Sequence, residues 1–286
     1  MGRIVYVNGD YVDEADAKVS VFDRGFVMGD AVYEVTSVIG GKLIDFPGHV
    51  ARLRRSLAEL DMPSPCTDDE LLAIHRELVA KNNISDGGVY LQVSRGNAGD
   101  RDFAFPPAGT PPTIVLYTQS KPGFYQSNDT LNGINVISVP DLRWHRRDIK
   151  TVQLLWASMA KMAAKKAGAQ DAWFVENGFV TEGSSNNAYI VKDGTIITRE
   201  LSNDLLHGIT RAAVLKLARE AQLKVVERSF TIEEAQSADE AFITSATNFC
   251  TPVLSIDGVK IGEGKAGPLA GRLHEIYLED SLRTAI

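Results

Sequence analysis

Residues 32–60 read VYEVTSVIGGKLIDFPGHVARLRRSLAEL. The Val-, Thr- and Ile-rich run Val32–Ile39 predicts a strand. Gly40-Gly41 supplies two residues that take positive φ at little cost, so the chain turns and Lys42–Phe46 returns as a hairpin partner. Pro47 then opens a helix, its fixed φ suiting the first turn, with Val50, Leu53, Leu57 and Leu60 on one face. A hairpin that runs straight into a helix is not the βαβ unit of a parallel sheet.

The same mixture continues outward. Ile4, Tyr6, Tyr11 and Val12 flank Asn8-Gly9-Asp10, a hairpin signal. Thr67 with Glu70 three residues on forms a capping box, heading a helix that carries Leu71, Ile74, Leu78 and Val79. Strands follow at Val89–Val93 and Thr113–Thr118. Residues 119–131 are polar with Pro122-Gly123 inside and read as a linker. Beyond them come a strand over Ile134–Val139 and a helix over 151–167, whose Met159 and Met162 read as core. Hairpins follow at Asn177-Gly178 and Asp193-Gly194, then a helix over 210–222. Strands at Lys224–Val226 and Ala241–Thr244 precede a closing helix, Leu269–Leu282. The order lacks a regular βαβ rhythm, which predicts an α+β protein. Its expected divisions are a smaller N-terminal domain over 1–118, the linker 119–131, and a larger domain over 132–286.

Composition bounds the function. The chain has 286 residues, 44% of them hydrophobic and 23% charged, enough for about two globular domains and too apolar for a disordered chain. Thirty basic against 37 acidic residues give a net charge of −7, without the basic footprint of a general nucleic-acid binder. No apolar run reaches the ~18 residues that span a bilayer, and the N-terminus enters strand pattern without a signal peptide. Cys66 and Cys250 are too few for a disulfide framework or a metal site of their own. The expectation is a cytoplasmic protein with neither nucleic-acid nor membrane partner. Gly262-Glu263-Gly264-Lys265-Ala266-Gly267 fits G-x-G-x-x-G literally, but one helix follows and the chain ends, so it reads as a turn rather than a dinucleotide site. The Arg54-Arg55 pair reads as a solvated helix face.

Three places carry chemistry. Lys150, in Asp148-Ile149-Lys150-Thr151, lies between the basic, aromatic stretch Arg143–Arg147 and an apolar helix; partial desolvation there would make its amine nucleophilic. The plain alternative is a solvated lysine at a helix start. Thr181-Glu182-Gly183-Ser184-Ser185-Asn186 sets small residues around one carboxylate, so that backbone can approach a flat ligand and the acid can pair with a protonated ring nitrogen; the alternative is a hydrophilic loop. Gly208-Ile209-Thr210-Arg211 opens a helix whose free N–H groups and Thr210 hydroxyl can take an anion; the alternative is an N-cap by Thr210. The turn Ser245-Ala246-Thr247-Asn248 could add donors to the same anion. A lysine amine, an acid for a pyridinium and a phosphate cradle are together the groups that pyridoxal phosphate requires.

The chain resembles the class IV, fold type IV, pyridoxal-phosphate aminotransferases, and within them the D-amino acid transaminases. The stretches that carry the likeness are Asp23-Arg24-Gly25-Phe26-Val27-Met28-Gly29-Asp30, Val32-Tyr33-Glu34-Val35, His49-Val50-Ala51-Arg52-Leu53, Asp148-Ile149-Lys150, Thr181–Asn186, Gly208–Arg211 and Thr244-Ser245-Ala246-Thr247, in family order. The resemblance implies a fold type IV enzyme, with a small α/β domain and a larger cofactor-binding domain built on a barrel-like sheet. It also implies pyridoxal 5'-phosphate as cofactor, a homodimer, and roles by position. Lys150 would hold the cofactor aldehyde and shuttle the substrate proton. Glu182 would pair with the ring nitrogen, and Leu206 would pack on a ring face. Arg52 would bind phosphate with Ile209, Thr210 and Thr247; local pattern alone does not choose Arg52 over Arg54 or Arg55. Tyr33 and Arg101 would hold the substrate carboxylate, with Phe103 standing where the family usually has histidine.

The implied reaction is ping-pong transfer of an amino group from a D-amino acid to a 2-oxo acid, pyruvate or 2-oxoglutarate. The same fold also serves branched-chain L-amino acid transaminases, (R)-amine transaminases and 4-amino-4-deoxychorismate lyase. A catalytically silent anion-binding protein is the alternative from another class.

Overall fold

The computed structural model describes residues 2–286. They fall into two compact units, residues 2–122 with Ile149–Gln153 and Thr284–Ile286, and Gly123–Asp148 with Leu154–Arg283. The first division lies inside the stretch 119–131, which is more ordered than a linker. Its first two residues finish a strand, and a 3-10 turn, Phe124–Gln126, and a short helix follow.

In the first unit the elements are β1 (Ile4–Val7), β2 (Asp10–Asp13), α1 (Arg24–Met28), β3 (Ala31–Ile39), β4 (Lys42–Leu43), α2 (Phe46–Glu59), α3 (Asp68–Lys81), β5 (Gly87–Ser94) and β6 (Thr113–Ser120). The strands form an antiparallel sheet in the order β2-β1-β6-β5-β3-β4. The turns follow local chemistry: Asn8, Gly9, Gly40 and Gly41 all have positive φ, as primed hairpin turns require. Thr67 and Glu70 close the expected capping box. One sheet face, including Val32, Leu91 and Leu116, buries against Val50, Leu53, Leu57 and Leu78 of α2 and α3. At about 1.5–3 kcal/mol per large apolar side chain, this packing holds α2 in place. His49 and Arg52 share its buried face, three residues apart.

The short α1 is absent from the sequence reading, because five residues carry too little periodicity to register. The helix expected from 151 starts only at Leu155. Residues 150–152 are instead extended along β3: Tyr33 N donates to Lys150 O at 3.0 Å and Val152 N to Ala31 O at 3.1 Å. That pairing occupies backbone groups a first helical turn would need.

The second unit comprises α4 (Asn128–Asn132), β7 (Ile134–Pro140), α5 (Leu155–Lys166), β8 (Asp171–Glu176), β9 (Phe179–Gly183), β10 (Asn187–Lys192), β11 (Thr195–Thr198), α6 (Ile209–Glu220), β12 (Lys224–Glu227), α7 (Ile232–Gln236), β13 (Glu240–Ser245), β14 (Phe249–Ile256), β15 (Val259–Lys260) and α8 (Pro268–Thr284). Its sheet runs β12-β11-β10-β13-β14-β7-β8-β9, with β15 beside β14. The end strand β9 joins β10, third from the opposite edge, through only Ser184–Asn186, so the sheet must curl back on itself. This is the barrel-like sheet of fold type IV. Gly262 and Gly264 have positive φ just before α8, so the G-x-G-x-x-G string does form a turn.

Met159 and Met162 correct the sequence reading: they are 52% and 62% exposed. The buried face of α5 is its small one, Ala160 and Ala164 against Ala172 and Phe174, which turns the methionines outward. Among the described residues no helix is long and apolar enough to cross a membrane.

Candidate active site

On the open face of the first sheet, the Tyr33, Tyr90 and Tyr117 rings stack across β3, β5 and β6 with centroids 5.6 and 4.9 Å apart. Lys150 stands at the Tyr33 end, its Nζ 4.2 Å from that ring's centroid, a favourable cation–π placement. Its backbone is held on two sides, by Tyr33 N and by the Ser56 hydroxyl, which accepts from Lys150 N at 3.4 Å. The lysine is therefore not a solvated helix-start residue.

Strand alternation sends the next residue, Glu34, to the opposite, helix-covered face. There it meets the buried side of α2. Arg52 Nε and Nη2 donate to Glu34 Oε1 and Oε2 at 2.8 and 2.7 Å, and His49 Nδ1 lies 2.8 Å from Oε2. A carboxylate only accepts, so His49 Nδ1 carries its proton in this pair. Burial alone would raise the Glu34 carboxyl. The Arg52 charge and fork, helped by His49, outweigh it and hold the group at about 2. Arg52 thus leaves α2 braced by an acid that sequence reasoning passed over, although Glu34 lies in a quoted motif. Arg54, expected on a solvated face, is tied instead to Asp68 and to the Cys66 carbonyl.

In the second unit, Glu182 is the penultimate residue of β9 and is 4% exposed. Arg143 Nη1 donates to its Oε1 at 2.6 Å; its Oε2 accepts from Asn187 Nδ2 and from Leu206 N, both at 3.1 Å. Burial lifts the Glu182 carboxyl above its ordinary range, with Arg143 and the Leu206 N–H pulling the other way. Arg143 is the second residue the sequence reading missed. It is held by Asp141 through Nε and Nη2, at 2.9 and 2.7 Å, and its guanidinium lies over the Phe174 ring. The basic stretch 143–147, read as surroundings of Lys150, is matched within the second unit: Arg146 by Asp148, Arg147 by Glu176. The Asp141-x-Arg143 spacing after a strand was the available signal. The turn behind Glu182 is fixed by Asp171, which accepts from Ser184 Oγ and from Asn186 Nδ2.

α6 begins at Ile209 with Gly208 as N-cap and no side-chain cap. Thr210 is therefore not the cap but the second helical residue, buried, in a first turn whose N–H groups have no intrahelical partner. Asn187 links this helix end to the acid. Its Nδ2 also donates to Leu206 O at 3.0 Å, and its Oδ1 would lie 2.1 Å from a Cβ at position 208. Any side chain there must displace Asn187 from Glu182 and Leu206. The β10–β13 register pairs Asn187 with Thr244, so the turn carrying Thr247 leaves the sheet at the same end. Thr247 itself is exposed, 3.4 Å from the Ser245 hydroxyl.

Within each unit the structure thus gathers Tyr33 with Lys150, Arg52 with Glu34 and His49, and Glu182 with Leu206 and the start of α6. Arg101 stays apart, on the exposed loop between β5 and β6, its guanidinium 4.7 Å from the Phe103 centroid. The residues suit a phosphorylated pyridine aldehyde. There is one amine on an aromatic face, one buried acid held by Arg143 and Asn187, and one helix start left uncapped by side chains.

Comparison with known proteins agrees. Residues 31–256 match the family described as amino-transferase class IV. A D-alanine aminotransferase of Staphylococcus haemolyticus is 40% identical over 271 residues, 95% of each chain. One from Listeria monocytogenes serotype 4b is 38% identical over 276 residues, 96% of this chain and 95% of that one. Among solved structures, the Escherichia coli branched-chain amino acid aminotransferase superposes with a TM-score of 0.89 at 26% identity, over 98% of this chain and 95% of that one. The Thermoproteus uzoniensis branched-chain enzyme with norvaline gives 0.87 at 26%, over 99% and 96%.

Proposed function

Because the chain belongs to the class IV aminotransferases, we propose that it moves an amino group from a D-amino acid to a 2-oxo acid, pyruvate or 2-oxoglutarate, in two half-reactions that use pyridoxal 5'-phosphate. When bound, this cofactor supplies an aldehyde that exchanges amino groups and a ring that draws electrons from the substrate α-carbon. The observation that carries the reading is Lys150, strapped to β3 so that its amine lies on the Tyr33 ring. The choice of a D-amino acid is supported by the 40% identity to D-alanine aminotransferases and by Tyr33 and Arg101.

Each residue then has a task. Lys150 Nζ would provide the amine that holds the aldehyde and, once released, would carry the proton from the substrate α-carbon to the former aldehyde carbon, and the reverse way in the second half-reaction. Glu182, oriented by Arg143 and Asn187, would pair with the ring nitrogen and keep a proton there. Leu206 would pack on the ring. Arg52, oriented by Glu34 and His49, holds phosphate by charge-assisted bonds. Ile209 N, Thr210 and Thr247 supply the further donors that a desolvated dianion requires. Tyr33 and Arg101 hold the substrate carboxylate, the planar guanidinium matching it in two bonds. Phe103, in place of the usual histidine, makes the neighbouring wall more apolar.

The active form is a homodimer in this reading. Its support is the exposed stripe Leu155, Met159 and Met162 on α5, at helical spacing on a surface where such patches mark interfaces. Sedimentation of the holoenzyme should give twice the chain mass, and a monomer at working concentration contradicts it. The two free cysteines suit a reducing, cytoplasmic setting.

An enantiomer-resolved panel of amino acids decides the substrate. D-alanine should reduce the cofactor's aldehyde absorbance in a half-reaction, and pyruvate should restore it. Turnover confined to L-isomers such as L-valine overturns the assignment.

A further inference from the structure

The motif Asp23-Arg24-Gly25 has no part in the scheme above, and its surroundings in the first unit give it one. Asp23 caps α1, accepting from Gly25 N at 2.8 Å, and its other oxygen accepts from the Ser94 hydroxyl at 2.8 Å. Gly25 fits because a Cβ there would lie 2.9 Å from both Asp23 Oδ1 and Ser94 Cβ. The motif is thereby clamped to the end of β5, where the loop carrying Arg101 departs.

Arg24 is 5% exposed. Its Nε donates to Asp30 Oδ2 at 2.7 Å, and its Nη1 donates to the main-chain carbonyls of Asp102 and Ala104 at 2.7 and 3.1 Å. Those two carbonyls bracket Phe103 and directly follow Arg101. Arg95 donates to the same Asp30 oxygen at 2.8 Å, and to the Leu60 and Asp61 carbonyls past the end of α2 at 2.8 and 3.2 Å. Its guanidinium lies 3.7 Å from the Phe105 ring centroid, and that of Arg24 5.9 Å from the same ring. Phe105 is 61% exposed, so the cations rather than an apolar pocket hold it.

Two buried guanidinium groups share one carboxylate. Burial would raise the Asp30 carboxyl, and the two forks together hold it below its usual range. One positive charge remains; the Leu60 and Asp61 carbonyls answer part of it, and the loop answers the rest through two carbonyls and one ring face. Moving the loop would take both carbonyl acceptors from the buried Arg24 Nη1, which is costly. The loop is exposed, yet its path is set by charge.

We propose that Arg24 and Arg95, acting through Phe105 and the Asp102 and Ala104 carbonyls, are positioning residues that hold the loop bearing Arg101 and Phe103 in the shape that recognises the substrate carboxylate. The inference rests on the assignment of Arg101 to that carboxylate.

The test uses the full-length holoenzyme. Arg24→Lys keeps the charge and loses the fork; Phe105→Leu removes only a surface ring and leaves the core untouched. In Arg24→Lys, amide exchange of residues 97–112 should accelerate about tenfold while that of α3 stays unchanged. The KM for D-alanine should rise about tenfold with kcat within about threefold, and Phe105→Leu should raise KM about threefold. In an Arg101→Ala background, Arg24→Lys should add nothing further to KM. Unaltered exchange over 97–112 overturns the anchor alone. Faster exchange with an unmoved KM in Arg101→Ala overturns the carboxylate assignment alone. A KM rise as large with Arg101 absent as with it present overturns action through Arg101.

Discussion

Replacing Lys150 with alanine should lower D-alanine transamination by about a thousandfold or more, since the residue is assigned both the covalent anchor and the proton transfer, each a large contribution. The fold should survive. The backbone of residues 150–152 is held by its own hydrogen bonds to Ala31 and Tyr33, and the core residue of this segment is Ile149, not the lysine. Lys150→Arg should be equally inactive although it keeps a cation over the Tyr33 ring, because a guanidinium does not deprotonate in proteins. Hydride reduction of the holoenzyme followed by trypsin offers a readout besides rate. A modified Lys150 is no longer cleaved, so the adduct should appear on the peptide spanning residues 148–161. An adduct on another peptide, or none, refutes the assignment of every residue arranged around it.

The second large effect is on stability. Glu34→Ala should cost about 3–5 kcal/mol, because it removes the carboxylate that pairs with Arg52 and His49 in a buried site. Denaturant unfolding measures the loss. Its pH dependence identifies the cause. The Glu34 carboxyl is held at about 2 in the folded chain against an ordinary 4.5, and at 1.36 kcal/mol per unit this is on the order of 3 kcal/mol. A depressed acid contributes its stability in full above the unfolded value and loses it as pH falls through the folded one. The gap between the native protein and Glu34→Gln should therefore be widest above 4.5 and close as the pH falls toward 2. A gap that does not change with pH assigns the loss to packing instead.

Much of the fold was legible because its instructions are local. Asn8-Gly9, Gly40-Gly41, Asn177-Gly178 and Asp193-Gly194 all turn with positive φ, and the residue types that tolerate it are visible in the sequence. The Thr67–Glu70 box and Pro47 act within one helical turn. The motifs around Lys150, Glu182 and Gly208 could likewise be picked out, though only as three separate weak signals joined by a family pattern.

What the sequence determined by itself, then, was where the chain turns, where half of the helices begin and which short stretches hold unusual chemistry. Each of these is an energy settled among residues a few positions apart. Tertiary structure decided the rest. It made residues 150–152 a strap on β3 rather than a helix start, turned Met159 and Met162 outward because two alanines packed better, matched Arg143 to an acid 39 residues away, and joined Arg24 to carbonyls 78 and 80 residues on. These choices depend on which groups folding brings within reach in a medium where unpaired charge is costly, and no local pattern encodes that proximity.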